Sequence, residues 1–463
     1  MYITDKSGFT KETKGQRVVS DVTCPFCGSA CDDIVCVVEK DPKTGNEHIK
    51  EVYNACKVGT ANFLPCKGAE RFTTPLWRES KKDDFEPITW DDALEKTADI
   101  LLAAKHPLIF GWSETSVEAM RYGVRLTELV GGTIDGQVTH CHGPTVQAIQ
   151  EVGYPTGTLG EVKNRADMIV YWGCNPLNAH ARHLSRYSTY VSGFFRRHGR
   201  QERKLIVVDP RRTDTAKLAD EYIQIELGSD YEIFQAMRAL LNDAEVTKDP
   251  IGGVPLDTLK GLLETMKSAS YGALFFGLGL THSESKKNNV EAGIGLVQAL
   301  NDHTKWQIMP LRGHYNVGGL NQVLSWLTGY AYAVNFTRGM PRYNIGEFTG
   351  VDMLARKEVD AMFNIAADPG AHIPQKAAMT MAEIPLICCD IHPTPTTELA
   401  NLILPGTHDG IEAEASCYRM DGVPIHMRKV HDPPAGCKPA NHVFLEELVK
   451  IVEKKLELPH VMQ

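Results

Sequence analysis

Beyond residue 100 the chain alternates short apolar runs with stretches of helical periodicity, and the runs end in turn residues. Pro107 to Phe110, Met168 to Trp172, Leu205 to Val208, Ala273 to Phe276, Ala361 to Ile365 and Ile384 to Cys388 have the length and composition of buried strands. Gly111-Trp112-Ser113 precedes a helical stretch with Val117, Met120 and Val124 on one face, which predicts Ser113 as its N-cap and Gly131 beyond its far end. Strand, loop and helix units of this kind build α/β domains with mostly parallel sheets, and such sheets bind ligands at the carboxyl ends of their strands. The loops Gly173 to Pro176, Asp209 to Thr215 and Ala366 to His372 are therefore dinucleotide-site candidates. Asp209, after the strand Leu-Ile-Val-Val, is placed to meet a ribose or a guanine edge, and Arg211 and Arg212 to meet phosphate. The competing reading is that Asp and Pro merely end a strand and cap a helix.

Nearer the amino terminus, Ile34 to Val38 reads as one more strand. Length changes the picture by adding domains: 463 residues with 43% hydrophobic content suggest about three. A net charge of -9 without a Lys/Arg block gives no support to a nucleic-acid or anionic-membrane surface. No apolar run reaches the ~18 residues of a membrane helix. The opening MYITDKSGFTKETKGQ has neither a hydrophobic signal core nor a twin-arginine motif, so a cytoplasmic location is expected. Twelve cysteines in that setting argue for reduced thiols and metal ligation.

Cys24, Cys27 and Cys31 follow Cys-x2-Cys-x3-Cys spacing, which aims several thiolates at one cluster from a tight loop before a distant ligand closes it. Cys56 is the expected fourth ligand and Cys66 its competitor; Gly28 lets the loop turn close to the cluster, and Cys36 reads as a small buried hydrophobe. A zinc knuckle is the alternative on spacing alone. Gly277-Leu278-Gly279 resembles half a dinucleotide fingerprint, but position 282 is His and there is no P-loop, so NAD, FAD and ATP find no support.

Seven segments in order carry a resemblance: VTCPFCGSACDDI, NACKVG, VTHCHGPTV, GEVKNRADMIVYWGCNPLNAHARHLSR, LIVVDPRRTDTAKLAD, MPLRGHYNVGG and EAEASCYRMDGVPIHMRKV. Together the chain resembles the molybdopterin oxidoreductase family, and within it the tungsten or molybdenum subunits of formylmethanofuran dehydrogenases. The resemblance implies a small N-terminal 4Fe-4S domain over residues 1–75 and two α/β domains around a bis(molybdopterin guanine dinucleotide) cofactor with tungsten or molybdenum. One α/β domain would combine 76–138 with 314–463, part of that last stretch packing on the iron-sulfur domain, and the other would span 139–313. Cys141, in Cys-His-Gly-Pro, would be the protein thiolate on the metal, for which a soft ligand is suited. His142 would be an acid/base or proton-relay group, with a side chain that titrates near neutral pH. Arg312 would hold a carboxylate-like substrate with its planar fork. His140 is expected to be a satisfied structural histidine. Gly173, Asn175, Asp209 and Arg211 would belong to one guanine dinucleotide site, with Asp368 and Asp390 as counterparts at the second. Lys57 would bridge cluster and pterin, although formate dehydrogenases place that lysine one residue later. Cys174, Cys388, Cys389, Cys417 and Cys437 are expected to be unligated.

The family's single-chain members continue into a β-barrel domain, which is expected to be absent here and supplied by a separate subunit. The implied activity is reversible reduction of CO2 to formate, with electrons from a polyferredoxin or another iron-sulfur subunit. Formate would pass to an amidohydrolase-like subunit for condensation with methanofuran, a step of methanogenesis. The rival readings are a formate dehydrogenase catalytic subunit with its barrel split off, and a non-catalytic iron-sulfur scaffold. Tungsten and molybdenum take the same ligands, so the sequence does not separate them.

Overall fold

The computed structural model describes residues 15–42, 45–64 and 70–458. Cys66 lies outside the described residues. Three bodies of sheet organise the chain. Gln16–Val22, Ile34–Lys40 and Glu47–Tyr53 form an antiparallel sheet in that order, so the expected strand from Ile34 is present and runs two residues further. Cys36 is fully buried in its middle strand.

Five parallel strands form the second sheet, in the spatial order Glu221–Ile223, Lys204–Val208, Met168–Trp172, Tyr271–Phe276 and Lys305–Pro310. The earliest strand in sequence is central, and the chain winds outward from it in both directions. Apolar side chains cover both faces: Val170, Trp172, Phe234 and Ile308 on one side, Ile169, Tyr171, Val207 and Phe275 on the other. Coverage on both faces is why these strands read as unbroken apolar runs.

Nine strands form the third sheet, in the order Arg342–Tyr343, Val334–Asn335, Thr133–Gly136, Pro107–Gly111, Ala361–Ile365, Leu386–Asp390, Leu402–Pro405, Leu76–Trp77 and Glu86–Pro87. Its five central strands are parallel and the short edge strands antiparallel. The run from Ile384 enters this sheet only at Leu386, because Ile384 closes the preceding helix Gln375–Glu383. The helix Val117–Val130 ends at Gly131, whose φ of 63° is the left-handed cap expected. Its N-cap is Ser116, not Ser113: the Ser116 Oγ accepts from the Ala119 N–H, while the Ser113 N–H is turned toward Gln137 Oε1 at 3.2 Å.

The hairpin Ala415–Tyr418 with Pro424–Met427 packs on the cysteine loop, where the Met420 N–H donates to the Gly28 carbonyl at 2.9 Å. Among the described residues no helix is long and apolar enough to cross a membrane.

Candidate active site

Cys24, Cys27 and Cys31 lie on the loop between the first two strands, closed by a bond from the Cys24 N–H to the Cys31 carbonyl at 2.8 Å. Cys56 caps the helix Lys57–Phe63, its Sγ accepting from the Gly59 N–H at 3.3 Å. All four thiols line one cavity of about 130 Å³. Among the described residues no group of three His, Cys, Asp or Glu side chains could hold a single metal ion. Four thiols spread around a cavity suit a polynuclear cluster better than a zinc ion gripped at one point. Burial pushes the Cys24, Cys27 and Cys31 thiols up, Cys31 to about 12 against the pull of the Arg182 guanidinium. Gly28 is required by close approach: a Cβ there would stand 2.4 Å from the Arg312 carbonyl oxygen. Lys57 is exposed on the first helical turn and does not line the cavity.

The Arg312-Gly313 backbone is the wall between this cavity and a larger one. Gly313 accepts from the Gly28 N–H at 3.1 Å and lines both spaces. The second space, about 660 Å³, is a cleft at the carboxyl ends of the nine-stranded sheet and is lined by Cys141, His140, Asp368 and Asp390. Cys141 follows the short 3-10 turn Gln137–His140 and precedes the helix Gly143–Val152. Burial raises its thiol pKa, while the Arg312 guanidinium and the N–H groups of Gly313 and His142 pull it down. Arg312 follows the edge strand Lys305–Pro310 and is anchored by Nη1 donating to Asn321 Oδ1 at 2.5 Å.

His142 departs from expectation. It is fully buried, with Nδ1 3.0 Å from Thr145 Oγ1 and Nε2 3.3 Å from the Leu311 carbonyl. Burial and then the Arg312 charge push its pKa down to about 3, so it is neutral at physiological pH and does not titrate near neutrality. His140 departs in the other direction. Its Nδ1 has no hydrogen-bond partner among the described residues, and its ring lines the cleft, so it is not a satisfied structural histidine.

The two parallel sheets carry the same loop. In the five-stranded sheet Gly173 (φ 58°) receives the chain from Trp172 and donates to the Val208 carbonyl at 2.9 Å. Asn175 then precedes Pro176 of a four-residue helix, and its Oδ1 accepts from Thr215 N and Oγ1 at 3.3 and 2.7 Å. In the nine-stranded sheet Ala366 (φ 47°) donates to the Cys389 carbonyl at 2.9 Å. Asp368 precedes Pro369 of a four-residue helix, and its Oδ1 accepts from Thr396 N and Oγ1 at 3.0 and 2.6 Å. Even the next contact repeats: Thr215 Oγ1 accepts from the Leu177 N–H at 3.1 Å, and Thr396 Oγ1 from the Gly370 N–H at 2.8 Å. By this correspondence Asp209, after Val208, matches Asp390, after Cys389. Burial raises both carboxyl pKa values, that of Asp390 to about 6. Two equivalent loops on two sheets would suit a cofactor with two like dinucleotide arms.

The molybdopterin oxidoreductase family model matches residues 71–449, which spans both of these sheets. The chain belongs to the molybdopterin oxidoreductase family. It is 53% identical over 441 residues to a subunit of the tungsten-containing formylmethanofuran dehydrogenase 2 of Methanocaldococcus jannaschii, covering 95% of this chain and 99% of that one. The Methanococcus maripaludis protein of the same name is 46% identical over the same shares. Among solved structures, the formyltransferase/hydrolase complex of Methylorubrum extorquens with methylofuran includes a chain of the same fold. It aligns with a TM-score of 0.67 at 19% identity, over 82% of this chain and 99% of that one.

For a molybdopterin oxidoreductase the residues fit the cofactor: a half-buried thiol beside a guanidinium, an orphaned imidazole nitrogen in the cleft, and paired Asx-Pro loops. Asn175, Asp209 and the exposed Arg211 sit at the five-stranded sheet's loops and do not line the cleft, which Asp368 and Asp390 do. Cys174, Cys388, Cys389 and Cys437 each place Sγ near a carbonyl or amide oxygen, and Cys417 is buried in the C-terminal hairpin. Sequence reasoning missed His282, His314, His372 and His408, which line the cleft with His140, and Asn321, which anchors Arg312. Three of those histidines stand in or beside loops already singled out, after Gly277-Leu278-Gly279, in Leu-Arg-Gly-His and at the end of Ala366 to His372. That position was their signal.

Proposed function

We propose that this chain is the catalytic subunit of a formylmethanofuran dehydrogenase, reducing CO2 reversibly to formate at a tungsten or molybdenum bis(pterin guanine dinucleotide) centre. The observation that carries the reading is the Arg312-Gly313 segment, which backs the four-cysteine cavity with its main chain and sends its guanidinium toward Cys141. The reaction takes up two electrons and one proton per CO2. When bound, the pterin-held metal supplies the two-electron chemistry and a 4Fe-4S cluster on Cys24, Cys27, Cys31 and Cys56 supplies one-electron transfer.

The chain's own residues set the geometry. Cys141 provides the protein thiolate, and the neighbouring guanidinium favours its ionised form. Arg312 pairs its fork with the substrate oxygens, one edge being tied to Asn321 beside Cys141. His142, neutral, donates from Nε2 to the Leu311 carbonyl and fixes the backbone on which Arg312 stands. Its role is therefore positioning; His140, which burial also keeps neutral with a pKa lowered to about 4, offers its unpaired Nδ1 as a hydrogen-bond partner in the cleft. Asn175 with Asp209 and Asp368 with Asp390 would bind the two guanine dinucleotide arms, Gly173 and Arg211 flanking the first. Lys57 stays near the cluster without lining its cavity. The domain division 1–75, 76–138 with 314–463, and 139–313 accords with the sheets, each of which draws its strands from one of these stretches.

Three kinds of partner complete the assignment: a barrel-domain subunit over the pterins, an amidohydrolase-like subunit that consumes formate, and a polyferredoxin or similar iron-sulfur donor. The assembled complex should convert CO2, methanofuran and a low-potential reductant into formylmethanofuran, and Cys141→Ala should abolish that conversion. A complex that interconverts CO2 and free formate, ignores methanofuran and lacks a hydrolase-like subunit would make this chain a formate dehydrogenase subunit instead.

A further inference from the structure

Arg182 belongs to the helix Ala181–Arg186, which follows the first Asx-Pro loop, yet it lines the four-cysteine cavity of the N-terminal body. Its guanidinium forks onto Asp33, with Nη1 to Oδ1 at 2.5 Å and Nη2 to Oδ2 at 2.6 Å. Arg186, one turn later, pairs with Asp33 and with Asp32. Its Nε donates to the Tyr187 hydroxyl at 2.9 Å, and that hydroxyl donates to the Ser29 carbonyl in the cysteine loop at 3.1 Å. Asp32 and Asp33 directly follow Cys31. On its other side Arg182 borders an open cleft of about 380 Å³, shared with Lys163, Asn54 and Arg186. Arg182 is thus the wall between the thiol-lined cavity and a solvent-facing cleft, and Asp33 holds it there.

A clamp between two bodies would explain the ion pairs alone. It does not explain why the same guanidinium faces the thiols. A fixed positive charge at the wall of a four-thiolate site stabilises most the state with the most negative charge, which for an iron-sulfur cluster is the reduced one. The carboxylate behind it acts with the opposite sign. We propose that Arg182 is a positioning residue that raises the reduction potential of the cluster held by the four cysteines, with Asp33 aiming the guanidinium and offsetting part of its charge. The inference rests on the reading of this cavity as a 4Fe-4S site. It adds to that reading the residue that tunes the cluster for accepting one electron from an iron-sulfur donor.

The test is an EPR-monitored redox titration of the cluster in anaerobically purified holoenzyme, with Cys27→Ser used to identify which signal belongs to it. Arg182→Gln should move the potential negative, Asp33→Asn should move it positive, and Arg182→Lys should leave it near the wild-type value. A purely mechanical clamp would not produce shifts of opposite sign from the two halves of one ion pair. Should Arg182→Gln lose its iron, Asp33→Asn still decides. Wild-type iron content and signal with potentials that do not move, or that move in the same direction, would overturn the inference alone. A wild-type holoenzyme without an iron-sulfur signal would overturn the cluster reading and this inference with it.

Discussion

Arg312 shows how much chemistry one side chain can carry when its surroundings leave it unfinished. Asn321 accepts one hydrogen bond from its guanidinium, and among the described residues no other acceptor is paired with it. Replacing it by lysine keeps the charge and removes the planar fork. Loss of a charge-assisted bidentate pair worth about 3 kcal/mol predicts a roughly hundredfold fall in kcat/KM for formate in viologen-linked assays. A fall of less than about threefold would contradict a substrate-binding role. The Cys-His-Gly-Pro and Leu-Arg-Gly motifs were legible in the sequence because residue type and order reveal chemistry. The state of His142 was not, since its neutrality comes from burial and from the nearby Arg312 charge, both of which are products of packing. The pH dependence of turnover should accordingly be unchanged in shape near pH 6.5 when His142 is replaced by Gln, even where the rate falls. Loss of an inflection in that region would restore His142 as the titrating group.

At the scale of elements, the helix Val117–Val130 depends on caps at both ends. Ser116→Ala should cost about 1 kcal/mol of stability by denaturant titration. Ser113→Ala removes no cap and should leave this helix intact. The tetrad Ser113-Glu114-Thr115-Ser116 offers the chain several capping residues, and only the path of the backbone after Trp112 selects among them. The central strands were readable because both their faces are apolar. Edge pairs such as Val334–Asn335 are two residues long and carry no period to read. Asp135 ties one such pair to its own strand and to the start of the helix Gly350–Ala355. Its carboxylate accepts from the Ala333 N–H at 3.2 Å and the Gly350 N–H at 2.7 Å while its own strand continues to Gly136. Burial raises its pKa to about 7 in spite of those bonds. The folded state therefore holds a proton that the unfolded chain has released above ~4. The Asp135 contribution to stability is complete below that value and is lost as pH rises through about 7. Asp135→Asn should lower stability overall and flatten its decline between those limits in a Tm series; an unchanged slope would rule Asp135 out as its source.

Across the whole molecule, the site exists only where three bodies meet. The cysteine loop leans on Arg312-Gly313, the C-terminal hairpin leans on the cysteine loop, and Cys141 enters the cleft between the two sheets. Gly28→Ala tests this convergence, because a Cβ 2.4 Å from the Arg312 carbonyl must separate the loop from that segment. The variant should lose most of its iron while keeping its helical content by circular dichroism. Sequence motifs identified the family and pointed to Cys141 and Arg312; the repetition of one Asx-Pro loop on both sheets needed the fold, since Gly-Cys-Asn-Pro and Ala-Ala-Asp-Pro share little beyond their prolines. In the proposed function this repetition would hold two dinucleotide arms around a metal on Cys141. The most direct test of that function is elemental and nucleotide analysis of the natively purified complex. About one tungsten or molybdenum and about two releasable guanine nucleotides are expected for each copy of this chain, beside cluster iron. Iron without tungsten, molybdenum or guanine nucleotide would contradict it and leave an iron-sulfur scaffold in its place.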